Sequence, residues 1–172
     1  SAPRLVLGLR GQAVGWDWES AFLRSQSKVR EQVHDGFPAN SLILPILNSG
    51  RVNFFGPNTP DVAAELRATH FVGDAFTVES TLTSVSAKGS RDLMALGGGP
   101  AGLALGAELR REEYLFDPHP TIQTGDISGY GGNFLVTERS RRVDALFAEL
   151  NLPLMKGLEA NAAVRFDRYE GG

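Results

Sequence analysis

From Val143 to Arg168, hydrophobic and polar residues alternate with a period of two. Leu146, Ala148, Leu150, Leu152 and Leu154 take every second position, with Phe147, Glu149 and Asn151 between them. After Met155-Lys156-Gly157 the alternation resumes with Leu158, Ala160, Ala162, Val164 and Phe166 against Glu159, Asn161, Ala163, Arg165 and Asp167. A period of two puts each set on one face of a strand. A turn of about three residues then makes the pair an antiparallel hairpin. One face is almost purely aliphatic and the other carries full charges. In a soluble sheet these are a core face and a wet face; in an outer-membrane barrel they are a lipid face and a water-filled lumen. Each strand is about as long as a tilted strand that crosses a bilayer.

The same pattern recurs upstream. Residues 4–10 place Leu5, Leu7 and Leu9 opposite Arg4 and Arg10, and residues 11–15 make a turn. In residues 16–31, Trp16, Trp18 and Phe22 face away from Asp17 and Glu19. Tryptophan near a strand end is typical of a membrane-interface girdle, although two tryptophans covering a small core fit equally well. Residues 75–88 are rich in Thr, Val and Ser and read as a strand; Phe76, Val78 and Leu82 share a parity that Val85 and Ala87 break, which calls for a bulge or an earlier strand end. Residues 101–114 alternate again, with Leu103, Leu105 and Leu109 against Glu108, Arg110, Glu112 and Tyr114.

Two long stretches do not alternate. Residues 32–73 hold one helical signal, Thr59 as N-cap followed by Pro60 and VAAELR. Residues 115–138 are broken by Asp117-Pro118, His119-Pro120, Gly125-Asp126 and Gly131-Gly132. The expected fold is therefore all-β: an antiparallel up-and-down meander of about six strands, with a short helix in a long loop. The breaks near 11–15, 89–100 and 155–157 are short, whereas 32–73 and 115–138 are long, so all long loops fall at one end of the sheet. Outer-membrane barrels show this asymmetry.

Composition removes several function classes. The net charge of −3 leaves no basic footprint for nucleic acid. With no cysteine there is no disulfide framework and no thiolate site. The longest aliphatic run, Leu42 to Leu47, is interrupted by Pro45 and is far short of a membrane helix. No signal peptide stands at the N-terminus, so an exported origin requires an internal or processed piece. His34, His70 and His119 sit at no metal-binding spacing, and each reads as a loop histidine. Glu112-Glu113 beside Arg110-Arg111 reads as a solvated strand end rather than an acid–base pair. No catalytic residue, metal site or cofactor is expected.

One motif argues otherwise. Gly97-Gly98-Gly99-Pro100-Ala101-Gly102 satisfies the glycine fingerprint of FAD- and NAD-binding oxidoreductases, and Asp117 lies where a ribose-binding acid belongs. That reading needs a helix from Ala101 to Glu113, but the leucines there keep strict alternation. No further strand–helix–strand unit follows. A soluble β-sheet binding domain is the other alternative.

Taken together, the segments resemble part of the β-barrel of TonB-dependent outer-membrane receptors. GWDWESAF is similar to that family's tryptophan-bearing strand, and Asn53-Phe54-Phe55-Gly56 to a loop motif of its larger members. The run Leu105-Gly106-Ala107-Glu108-Leu109-Arg110-Arg111-Glu112 resembles the family's A-x-G-x-E-x-R-x-E ending, which makes the glycine fingerprint a periplasmic turn. ALFAELNLPL and LEANAAVRFDRY are similar to its closing hairpin.

The resemblance implies that residues 1–172 are a partial barrel domain, roughly a quarter of a 22-strand barrel. Plug domain, TonB box and remaining strands are absent. It implies a bacterial outer-membrane location and uptake of a scarce nutrient: siderophore-bound iron, cobalamin, a sugar or a peptide. The implied partners are lipid, the parent's own plug and TonB. Glu108, Arg110, Glu112, Tyr114, Arg165 and Asp167 are then lumen-facing, free to meet plug or ligand or simply to pair with neighbours. Without lipid, Leu146, Leu150, Leu152, Val164 and Phe166 expose about 10 kcal/mol of transferable burial, at about 2 kcal/mol per large side chain. Self-association is the expected way to hide it.

Overall fold

The computed structural model describes residues 1–132 and 134–171. It is all-β: among the described residues, six antiparallel strands form one up-and-down sheet in the order of the chain. The strands are β1 (Arg4–Ala13), β2 (Trp16–Val33), β3 (Gly73–Leu96), β4 (Gly99–Pro118), β5 (Thr137–Met155) and β6 (Leu158–Glu170). Residues 101–113 lie within β4, so the helix that a dinucleotide fingerprint requires is absent and the flavin reading falls.

The glycine run has a different physical origin. The β3–β4 connection is only Gly97-Gly98, not the break over 89–100 that the sequence suggests; β3 runs on to Leu96. The Gly98 N–H donates to the Pro153 carbonyl at 3.0 Å. A Cβ on Gly98 would lie 2.8 Å from the Met155 carbonyl oxygen and 2.9 Å from that of Pro153. Two turns therefore touch backbone to backbone, and only glycine allows that approach. The other short turns are also two residues long. Val14-Gly15 joins Ala13 to Trp16, with positive φ at both positions, as a twisted hairpin requires. Lys156-Gly157 joins Met155 to Leu158 beyond a register shift at Pro153/Met155.

The chain divides into two compact units. One comprises Ser1–Ser27, Ser80–Tyr114 and Arg139–Gly172; the other comprises Lys28–Glu79 and Leu115–Glu138. The first is sheet alone. The second contains both long connections, residues 34–72 and 119–136, which interlock. Ala39 forms a bridge with Ile127 and Pro38 with His70. Val33, Ala39, Ala75, Ile122 and Ile127 make a small core flanked by Phe37, Phe71, Phe76 and Tyr130. Phe76 thus belongs to a local core, while Val85 is half exposed in the sheet unit. That explains the parity change along β3 without any strand end, since β3 is continuous there.

Three helices, counted among the described residues, belong to the second unit: α1 (Asn40–Leu47), α2 (Pro60–Ala68) and the single-turn α3 (Pro120–Gln123). The expected helix is α2, with Thr59 at the N-cap position and Pro60 first. Thr59 makes no side-chain hydrogen bond to the backbone there; its hydroxyl serves the Asp61 carboxylate instead. Helix α1 has no local signal in the sequence. Its residues are mostly apolar, Pro45 lies inside it, and its cap comes from far away: the Asp126 carboxylate accepts from the Ser41 N–H at 2.8 Å and from the Ser41 hydroxyl at 2.5 Å.

Candidate functional site

Pairing register assigns every strand residue of the sheet unit to a face. In the β5–β6 hairpin Leu146 meets Phe166, Ala148 meets Val164 and Leu150 meets Ala162, all on one face. Phe147 meets Arg165, Glu149 meets Ala163 and Asn151 meets Asn161 on the other. In the β1–β2 hairpin Leu7 meets Phe22 and Gly11 meets Trp18, while Arg10 meets Glu19 and Gln12 meets Asp17.

Exposure is inverted relative to a water-soluble sheet. Leu146, Val164 and Phe166 are 63, 67 and 66 % exposed. The side chains of Glu108, Arg110 and Asp167 on the opposite face are 23, 28 and 25 % exposed. The aliphatic face looks outward, and on the charged face the carboxylates and Arg110 are the sheltered groups, while Arg141 and Arg165 stay about half exposed.

On the charged face, five of the six residues singled out from the sequence join one ion-pair network. Arg110 lies 3.7 Å from Glu108 and 2.9 Å from Glu112. Arg165 reaches Glu108 at 3.2 Å and Asp167 at 2.9 Å. Arg141, which sequence reasoning missed because it precedes the recognised alternation, closes on Glu112 at 2.6 Å. Three arginines balance three carboxylates, so the network is neutral as a unit. Arg110 Nε sits close to Glu112 but off the line of a hydrogen bond, leaving that buried N–H without an aligned acceptor among the described residues. Tyr114 joins none of these pairs and is exposed.

Other polar groups on this face line a concavity of about 680 Å³ that the sequence did not single out. Arg10, Gln12, Asp17 and Glu19 come from the first hairpin, Lys88 and Ser90 from β3, and Phe147 and Glu149 from β5. Since β1 and β5 are not neighbours, the sheet unit curls, with its charged face concave. Lys88 pairs with Glu19 at 2.9 Å and Gln12 donates to Asp17 at 2.6 Å. The available signal was parity: Asp17 and Glu19 share the side opposite the tryptophans. The Phe147 ring lies over Gly106, where a Cβ would fall 2.1 Å from its Cζ.

No protein-family model, curated protein or solved structure matches the chain.

The aliphatic face forms a belt of limited height. On β5 its outward positions run from Leu146 to Leu154, nine residues along the strand, preceded by Asp144. On β6 they run from Leu158 to Phe166, followed by Arg168. On β4, Leu105 and Leu109 are followed by Arg111, which pairs with Glu113 at 3.0 Å. At the turn end stand Trp16 and Trp18. Nine residues is the lower end of what a tilted strand needs to cross a hydrocarbon core.

The loop unit presents its own polar contacts. The Tyr130 hydroxyl donates to Glu31 at 2.7 Å, and burial, then this bond, pushes the phenol up to about 12. Asp35 faces His70, and that hydrogen bond holds the Asp35 carboxyl below the usual range. Arg51 and Glu65 form a two-pronged pair that lowers the Glu65 carboxyl. The Asn53-Phe54-Phe55-Gly56 segment is tied by Asn53 and Asn58: the Asn53 N–H donates to Asn58 Oδ1 at 2.7 Å and the Phe55 N–H to Asn53 Oδ1 at 3.0 Å. Both phenylalanines project into solvent.

Proposed function

We propose that the chain is a wall segment of a TonB-dependent receptor barrel in the bacterial outer membrane, part of a transporter for a scarce nutrient such as siderophore-bound iron, cobalamin, a sugar or a peptide. The observation that carries this reading is the inversion of exposure between the faces. A lipid-facing belt costs nothing in hydrocarbon, whereas in water its exposed leucines are a large unfavourable surface. The sheltered charges fit a wet interior. There the neutral Glu108–Arg110–Glu112–Arg141–Arg165–Asp167 network braces neighbouring strands, and the concavity around Arg10, Asp17 and Glu149 is open to plug or solute. Two-residue turns alternating with two long, interlocked connections match the asymmetry of such barrels. In this reading the chain performs no catalysis; plug and TonB act on it within the parent receptor.

The reading has a direct consequence in water. Without lipid, the belt and the edges of β1 and β6 drive self-association. Light scattering in detergent-free buffer is expected to show oligomers that bilayers or micelles disperse. A stable, folded monomer in plain buffer would contradict it.

A further inference from the structure

The turn-ward rim of the aliphatic belt carries a feature that membrane spanning alone does not demand. Trp18 lies flat across Gly11 of β1, where a Cβ would fall 2.8 Å from its ring. Trp16 lies across Gly89 of β3, where a Cβ would meet its ring at 3.2 Å. Both indoles are thus pressed onto glycines rather than free to swing. Over the fixed Trp16 ring sits the Arg91 guanidinium, 5.5 Å from the ring centroid. Unlike the six members of the ion-pair network on the opposite face, Arg91 forms no ion pair among the described residues. It is exposed, and it shares the belt's face with Gly89, two residues before it on β3, which the Trp16 ring covers.

We propose that Arg91 on Trp16 is a binding site for the phosphate of an anionic phospholipid headgroup. The site presupposes the membrane reading. The charge is complementary, and the position is continuous with the rim of the belt, where headgroups meet the hydrocarbon. The chemistry fits as well. A guanidinium presents a planar fork of donors to phosphate oxygens. A guanidinium held over an indole face by its charge keeps those donors free. Trp16 then performs two tasks, anchoring the strand end at the interface and orienting the arginine.

The test uses the full chain with Trp18→Phe, which leaves Trp16 as the sole tryptophan, reconstituted in phosphatidylcholine vesicles. A minority of the lipid carries brominated acyl chains, on either phosphatidylglycerol or phosphatidylcholine, and quenching of Trp16 fluorescence reports which lipid sits beside it. The expected result is a preference for brominated phosphatidylglycerol of about fivefold in relative association, the contribution of one basic residue at an anionic surface. Arg91→Gln, a change at an exposed position, is expected to abolish that preference while quenching itself persists. Equal quenching by the two lipids, or a preference that survives Arg91→Gln, overturns the site and leaves the membrane reading standing. Loss of the preference on adding inorganic phosphate at constant ionic strength marks a general anion site and overturns the lipid assignment. Quenching by neither lipid overturns the site together with the membrane reading.

Discussion

The Arg165 guanidinium of β6 lies 3.2 Å from the Glu108 carboxylate of β4, although β5 runs between the two strands. Two strand spacings are about 9.5 Å, a gap that only a long side chain closes. On the intervening strand Val143 and Ala145 share this face and are almost inaccessible. The register partner of Arg165 on β5 is Phe147, whose ring turns onto Gly106 of β4; Ala145, the next residue on this face, adds little bulk between Arg165 and Glu108. The contact therefore ties three strands rather than two.

It follows that Glu108 and Arg165 are energetically coupled. A double-mutant cycle of Glu108→Gln and Arg165→Met in micelles is expected to show a favourable coupling that shrinks at high salt. The Arg168–Glu170 pair has a more exposed geometry, at 67 and 47 % side-chain exposure, and is expected to give close to zero. Equal coupling in the two pairs would show that the sheltered face confers no advantage.

The glycine run separates a turn from a phosphate cradle by mutation. Gly98→Ala forces a Cβ against two carbonyl oxygens that belong to backbone, and is expected to destabilise by about 1–3 kcal/mol. Gly102 has nothing within 4 Å of an added Cβ. Gly102→Ala is expected to be neutral or stabilising by about 0.5 kcal/mol through lower chain entropy in the unfolded state. Thermal or denaturant melts check both, and a reversed order would contradict the observed turn contacts.

Alkaline pH should single out one of the three tyrosines. Tyr130 is pushed up to about 12, first by burial and then by its hydrogen bond to Glu31. Because folding favours the protonated phenol, this contribution is intact below pH 10 and is lost as pH rises through about 12. Ultraviolet titration is expected to show one late phenol, absent in Tyr130→Phe and shifted part-way back in Glu31→Gln. A titration with no late phenol would contradict the Tyr130–Glu31 contact.

Much of the sheet was legible because the two faces differ so sharply in chemistry. Leu146 to Leu154 against Phe147, Glu149 and Asn151 leaves one possible register sense, and Glu108, Arg110, Glu112, Arg165 and Asp167 fall on one face by parity alone. What failed did so where a distant partner decides. Gly89 and Ser90 read as a turn, yet β3 continues through them because the Trp16 ring covers Gly89. Helix α1 is capped by Asp126, 85 residues away, so no local cap announced it. Tyr114 has the parity of the charged set, but it lies beyond the last carboxylate of the network. Arg141 lies just ahead of the alternation that revealed β5.

The most direct test of the account is depth measurement, which the absence of cysteine makes simple. Single cysteines at Leu146, Val164 and Phe166, and separately at Glu108, Glu149 and Asp167, carry nitroxide labels in the chain reconstituted in bilayers. Collision with oxygen, which concentrates in hydrocarbon, is compared with collision with a water-soluble nickel chelate. Oxygen-dominated collisions are expected at the first three positions and chelate-dominated collisions at the other three. Chelate access at Leu146, Val164 and Phe166 equal to that at Glu108 would contradict it.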